Sequence, residues 1–196
     1  LRMRAFWALS SCLALFLAAY SATLANLGKF AEGLGVDGTS QADLMTVLAF
    51  SGLLGKLAFG FLADRLPLKL SLWAAIGLAA IAIGSFSLEP NYPALLVCSS
   101  IMGLATGGIL PVWGAMVGTV FGVANFGRTM GLQGPTIALV AIPTFWMAGW
   151  IYDHPRPGED PSFALAFQIL VGMLCLSAAS LTALRIPSGQ PSDETP

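Results

Sequence analysis

Charge is the scarcest commodity in this sequence: Asp, Glu, Lys and Arg together make up only 10% of 196 residues, against about a quarter in soluble domains. So few charges cannot clothe a water-soluble fold. There is no basic surplus either, because the net charge is −1, and a nucleic-acid partner would demand clustered Lys and Arg. Cys12, Cys98 and Cys175 each lie in an apolar run without CxxC spacing. Neither a disulfide framework nor a zinc site is expected, and all three read as small buried packing residues. The one histidine, His154, stands beside Asp153 in a Pro-rich loop and reads as solvated. HExxH, GxSxG and the nucleotide-binding P-loop are all missing, so no metal, cofactor or hydrolytic chemistry is expected.

What is abundant is apolar. Hydrophobic residues reach 56% and the mean hydropathy is +0.79. Six runs are long enough to cross a hydrocarbon core, which takes about 20 residues of helix. They are Ala5 to Leu27, Ala42 to Ala63, Leu70 to Leu88, Ala94 to Phe121, Leu132 to Tyr152 and Phe163 to Leu184. Only Asp43 and Lys56, both in the second, bring charge into a run. The opening Leu-Arg-Met-Arg before an apolar stretch has the look of a signal peptide, but the stretch is too long and five similar ones follow. Breaks carry turn chemistry at Gly28 to Gln41, at Glu89-Pro90-Asn91-Tyr92-Pro93 and at Asp153 to Ser162.

We therefore expect an all-α integral membrane fold of six transmembrane helices over residues 1–185, with a polar cytoplasmic tail lacking fixed structure over 186–196. Arg2, Arg4, Arg65, Lys69, Arg128 and Arg185 fall on one side and only Lys29 and Arg156 on the other. The positive-inside rule then puts both termini in the cytoplasm of a cell membrane, such as a bacterial inner membrane. Trp7, Trp73, Trp150 and Tyr152 near span ends fit the interfacial belts. Because each unit of three spans is odd, Ala94 to Leu184 must run inverted relative to Ala5 to Leu88, giving two inverted three-helix repeats.

Two features point to function. The second run ends Gly60-Phe-Leu-Ala-Asp64-Arg65-Leu-Pro-Leu-Lys69. Here the chain resembles the major facilitator superfamily, whose signature loop reads G-x-x-x-D-R/K-x-G-x-R/K-R/K between the second and third helices of a half. Gly60, Asp64, Arg65 and Lys69 match in register, while Pro67 and Leu70 depart from it. A glycine there lets helices approach closely, and the carboxylate can pair with Arg65 or with the positive N-terminus of a neighbouring helix. The resemblance implies that this neighbour lies in another half.

Lys56 is the second. It falls about 5 Å on the cytoplasmic side of the midplane at about 1.5 Å per residue. That depth is beyond easy snorkelling, and an unpaired ammonium there costs about 3 kcal/mol. Gly52 and Gly60 flank it one turn either way. A cavity or a partner is expected, with a structural ion pair or a snorkelled lysine as the alternatives.

The fourth run holds Gly103-x-x-x-Gly107 and Gly114-x-x-x-Gly118-x-x-x-Gly122 around Pro111, which suggests close packing and a gating bend. The stretch Phe126-Gly-Arg128-Thr-Met-Gly131-Leu-Gln133-Gly134-Pro135, the ending Ala148 to Asp153 and the Phe6-Trp7 start are similar to bacterial oxalate/formate and monocarboxylate carriers of that superfamily. This resemblance spans Arg4 to Leu184. It implies that a basic residue on the second span, here Lys56, serves as counter-ion to an anionic substrate. Tyr20, Asn26, Trp113 and Gln133 are further candidates to line the cavity, although each has a packing reading.

The resulting expectation is one half of a 12-helix carrier moving a small organic solute, a carboxylate among the options, by alternating access and with a coupling ion. Its partners would be the lipid bilayer and either a missing N-terminal six-helix half or a second chain; a start at Leu1 favours a piece of something longer. A non-transporting scaffold or channel subunit remains open. An intramembrane enzyme is the third class, but the runs hold no nucleophile–base pair for it.

Overall fold

The structure is a computed structural model that describes residues 2–155 and 162–182. The expected tail over 186–196, the end of the sixth span, Arg156 and Arg185 lie outside the described residues. Six helices follow one another: α1 Arg2–Gly33, α2 Gly38–Arg65, α3 Leu68–Phe86, α4 Tyr92–Phe121, α5 Phe126–Asp153 and α6 Ala164–Thr182. All are long and apolar enough to cross a membrane, and no strand occurs among the described residues. Helix is the form these runs must take, because hydrocarbon offers no partner for a free N–H or C=O.

Three helices outrun their hydrophobic stretches. The 32 residues of α1 make about 48 Å of helix at ~1.5 Å per residue, well beyond a core of about 30 Å. Likewise α5 begins at Phe126 rather than Leu132, and α2 at Gly38. The physical reason is that hydropathy marks where lipid begins, whereas the hydrogen-bond ladder continues until something breaks it. At the end of α1 the breaker is Gly35, whose φ of 77° lets Val36 N–H reach the Ala31 carbonyl at 3.0 Å and Gly35 N–H the Glu32 carbonyl at 2.9 Å. This is a Schellman cap. Pro67 stops α2 by holding Leu66 extended. Asn91 starts α4 by accepting from Ala94 N–H at 3.2 Å. Gly122, with φ 78°, closes α4 before a 3-10 turn at Val123–Asn125.

Packing follows the inverted repeat. The most extensive contact joins α2 to α4, and the next joins α1 to α5. Exchanging the repeats (α1 with α4, α2 with α5, α3 with α6) turns one pair into the other. The lesser pairs α3–α4 and α1–α6 exchange in the same way, and α3–α6 maps onto itself. Each three-helix unit thus buries its surface against the other. Helices α1 and α4 are the most covered and α5 the least.

The two ends of the bundle differ in charge. Arg4, Arg65, Lys69 and Arg128 mark one end; Glu32, Asp37, Asp43, Glu89 and Asp153 crowd the other, with Lys29. At that acidic end Phe30 meets Phe167 at 4.9 Å and Phe86 at 5.9 Å, and Tyr152 stacks on Phe163 at 4.4 Å, tying α1, α3, α5 and α6. Asp37 sits there just ahead of α2. The Ser40 hydroxyl and the backbone N–H groups of Thr39 and Ser40 hold its carboxyl below the usual carboxylate range.

Candidate substrate cavity

Three glycines let α2 and α4 touch backbone to backbone, and a fourth admits a ring. A methyl group on Gly55 would strike the Leu104 carbonyl, and one on Gly103 would strike the Ser51 side chain and the Leu48 carbonyl. On Gly107 it would strike the Gly52 carbonyl, and on Gly108 the Phe59 ring. The first ladder read from the sequence is therefore an intrachain seam. The second is not, since a methyl on Gly114, Gly118 or Gly122 would meet nothing within 4 Å. Gly60 is equally open, so the close approach expected there has no partner among the described residues.

Beside the seam lies a cavity of about 340 Å³ lined by α1, α2 and α4. Its polar groups are Lys56, Tyr20 and Thr106; its apolar wall includes Leu17, Leu53 and Leu110. Lys56 makes no hydrogen bond or ion pair among the described residues, and neither does the Tyr20 hydroxyl. Thr106 gives its hydroxyl hydrogen to the Met102 carbonyl at 2.6 Å, so its oxygen is left with acceptor capacity only. Gly107, another lining residue, is four residues before Pro111, which has no N–H to offer its carbonyl. The arrangement presents one ammonium and one hydroxyl donor on a mostly apolar wall. It suits a small solute with a negative or strongly accepting group.

The other sequence candidates lie elsewhere. Asn26 turns back on its own helix, giving its Nδ2 hydrogen to the Ala22 carbonyl at 2.9 Å. Trp113 and Gln133 are both 1% exposed and bonded to each other, the indole Nε1 donating to Oε1 at 3.0 Å. They pin α4 to α5 inside the bundle and do not line the cavity. The Gln133 Nε2 group has no hydrogen-bond partner among the described residues. Thr106 and Gly107 were missed as lining residues. Their only sequence signal is their place in the tight Gly103 to Gly107 ladder.

At the basic end, Arg65 lays its guanidinium over the Phe61 ring at 4.0 Å, and Lys69 points its ammonium at Trp73, 5.8 Å from the ring centre. Asp64 is exposed and forms no ion pair with Arg65. A carboxylate at a helix C-terminus gains nothing from its own dipole.

A polytopic bundle in two inverted units, the signature loop and the lysine-bearing cavity converge on one family, whose model, that of the Major Facilitator Superfamily, matches residues 8–196. The chain belongs to the Major Facilitator Superfamily. Among curated proteins it is similar to the "Multidrug efflux pump Tap" of Mycobacterium tuberculosis and that of Mycobacterium bovis. Each is 27% identical over 152 residues, which are 78% of this chain and 34% of the relative. The chain thus spans about a third of the length of these relatives. Membership of a carrier family separates the chain from enzymes at the level of the superfamily.

Proposed function

We propose that this chain is one half of a secondary carrier that moves a small organic anion, a carboxylate being the simplest case, by alternating access across a cell membrane. The single observation that carries this reading is Lys56: an ammonium inside a span, without a described counter-ion, bordering a cavity with an unpartnered Tyr20 hydroxyl. A charge so placed is stabilised by an anion that arrives. The same charge disfavours a cationic solute. Without a nucleotide-binding motif, a coupling-ion gradient supplies the drive.

The other wall of the site comes from a second six-helix unit, covalently joined or from another chain. The relatives' length and the open faces of α2 and α5 support this. Asp64, without an ion-pair partner among the described residues, then meets the N-terminus of a helix in that unit, and Gly60 lets it come close. Gly60, Asp64, Arg65 and Lys69 would act in switching between open states, with Pro111 as the flexible point of α4. Both termini would face the cytoplasm.

Uptake into proteoliposomes by the full-length protein tests the anion. Lys56 is exposed on this half and is enclosed only when the second unit covers the site. Truncating one partner of a charge pair enclosed in that way costs about 2 kcal/mol or more, so Lys56→Ala should raise KM for oxalate or a monocarboxylate by about tenfold or more. Lys56→Arg should retain much of the function. Anion uptake with unchanged KM in Lys56→Ala would remove the counter-ion role. A second reading, efflux of varied lipophilic solutes, draws on the mostly apolar wall and on the relatives' name. It expects Lys56→Ala to spare export of neutral lipophilic dyes.

A further inference from the structure

The Lys56 cavity holds acceptors as well as donors, and they share one layer of the bundle. Tyr92 on α4 gives its hydroxyl hydrogen to Asp43 on α2 at 3.3 Å, and both helices run from the acidic end to the basic end. Lys56 lies as far beyond Asp43 as Ala105 lies beyond Tyr92. At a common rise of about 1.5 Å per residue, Lys56 is therefore level, within a turn, with Thr106 and Gly107. The glycine contacts agree, since the Gly52 carbonyl meets Gly107 and the Phe59 ring meets Gly108, one on each side of Lys56 along α2.

Gly103, Thr106, Gly107 and Leu110 border the cavity at the spacing of one helix face. Of the α4 residues there, Thr106 is the one with a polar side chain. Its hydrogen is committed to the Met102 carbonyl at 2.6 Å, so toward a solute it accepts and does not donate. Gly107 can border the cavity only with its backbone, and Pro111, one turn on, has no N–H for its carbonyl. These acceptors complement the Lys56 ammonium and the Tyr20 hydroxyl in the same cavity.

This pairing of donors with acceptors narrows the solute. A bare carboxylate brings acceptors alone, which satisfy Lys56 and Tyr20 and leave Thr106 and Gly107 unused. A solute that adds a hydroxyl supplies the missing hydrogen. Without Thr106, that hydroxyl would leave water for a wall of Leu17, Leu53 and Leu110, at the cost of burying an unpaired donor. An ammonium is a poorer donor here, because Lys56 repels it at the same level.

We propose, resting on the anion reading above, that Thr106 is a specificity-determining residue. It accepts a hydrogen bond from the hydroxyl of a short hydroxycarboxylate whose carboxylate is held by Lys56. The cavity then prefers such solutes to carboxylates of the same shape that lack the donor.

The test compares glycolate with fluoroacetate, which has nearly the same shape and no donor, and with acetate. Dissociation constants come from ligand-induced thermal stabilisation of the full-length protein in nanodiscs. One neutral hydrogen bond is worth about fivefold in affinity, so glycolate should bind more tightly than fluoroacetate by about that factor. Thr106→Val, which keeps the shape and removes the acceptor, should bring the two together without loss for fluoroacetate. Thr106→Ser should keep the preference. A purely structural Thr106 would shift the thermal midpoint without ligand and leave the ratio of the two acids alone. Equal binding of glycolate and fluoroacetate by the unaltered protein, or a preference that survives in Thr106→Val, would overturn the role of Thr106. The counter-ion role would then still stand where Lys56→Ala weakens all three acids. Failure of all three to stabilise the protein, or indifference to Lys56→Ala, would remove the anion reading and the role of Thr106 with it.

Discussion

The α2–α4 and α1–α5 pairs occupy equivalent places in the two repeats, yet they are held together differently. In α2–α4, glycine contacts bring backbone against backbone at Gly55, Gly103 and Gly107 and seat the Phe59 ring against Gly108, and the cavity with Lys56 opens beside them. On α5, Gly127, Gly131 and Gly134 are exposed and a methyl there would meet nothing within 4 Å, so they form no glycine seam with α1. At the acidic end each pair has a polar clasp, Tyr92 to Asp43 at 3.3 Å in one and Lys29 to Asp153 at 3.1 Å in the other. The repeat therefore sets which helices meet, and residue size decides how closely. Closeness without large side chains leaves one wall of a cavity beside α2–α4.

The largest effect that tests this difference is steric. Gly107→Ala places a methyl against the Gly52 carbonyl, which belongs to a helix backbone and cannot rotate away. Overpacking of this kind should cost about 1–3 kcal/mol. Gly131→Ala on α5 meets open space and should be neutral or gain up to about 1 kcal/mol from helix propensity. Thermal unfolding of the purified full-length protein measures both. Equal destabilisation would erase the distinction between the two pairs.

A smaller effect is expected at the bond that pins α4 to α5. Trp113→Phe removes the only described donor to Gln133 Oε1 and leaves a buried carboxamide bare at both ends, for a loss of about 1–2 kcal/mol. Adding Gln133→Leu removes the stranded group as well. The double variant should then be more stable than Trp113→Phe alone, a coupling that a double-mutant cycle reads directly. Additive losses would mean that the bond contributes nothing of its own.

How much of this was legible beforehand depends on the range of the interaction. Six spans, their order and the turns at Gly35, Pro67 and Asn91 are local, because apolar length and φ preference act within a few residues. Lys56 was legible because a lone charge in an apolar run is conspicuous whatever surrounds it. The start of α5 was not: hydropathy marks the apolar run only from Leu132, whereas the helix already begins at Phe126. The two glycine ladders of α4 have identical spacing, and only the position of α2 separates them. Trp113 and Gln133, 20 residues apart, could not be paired without the α4–α5 approach, so each stood as an independent candidate for the cavity.

The smallest predicted effect concerns the clasp at the acidic end of α1–α5. Lys29 and Asp153 are 49% and 59% exposed, so their attraction is shared with water and should contribute less than about 1 kcal/mol. Lys29 also stands 4.5 Å from the centre of the Tyr152 ring, an interaction that depends on the ring quadrupole rather than on a countercharge. The two contributions separate by mutation and salt. Asp153→Asn removes the ion pair alone, and its small cost should fade as salt rises, since the Debye length drops to about 3 Å at 1 M. Lys29→Gln removes both and should cost more, with a residue that persists in high salt. If the two variants behave alike at every ionic strength, the ring contributes nothing and α1–α5 is clasped by charge alone; if neither changes the thermal midpoint, side-chain packing within the bundle holds this pair without help from its clasp.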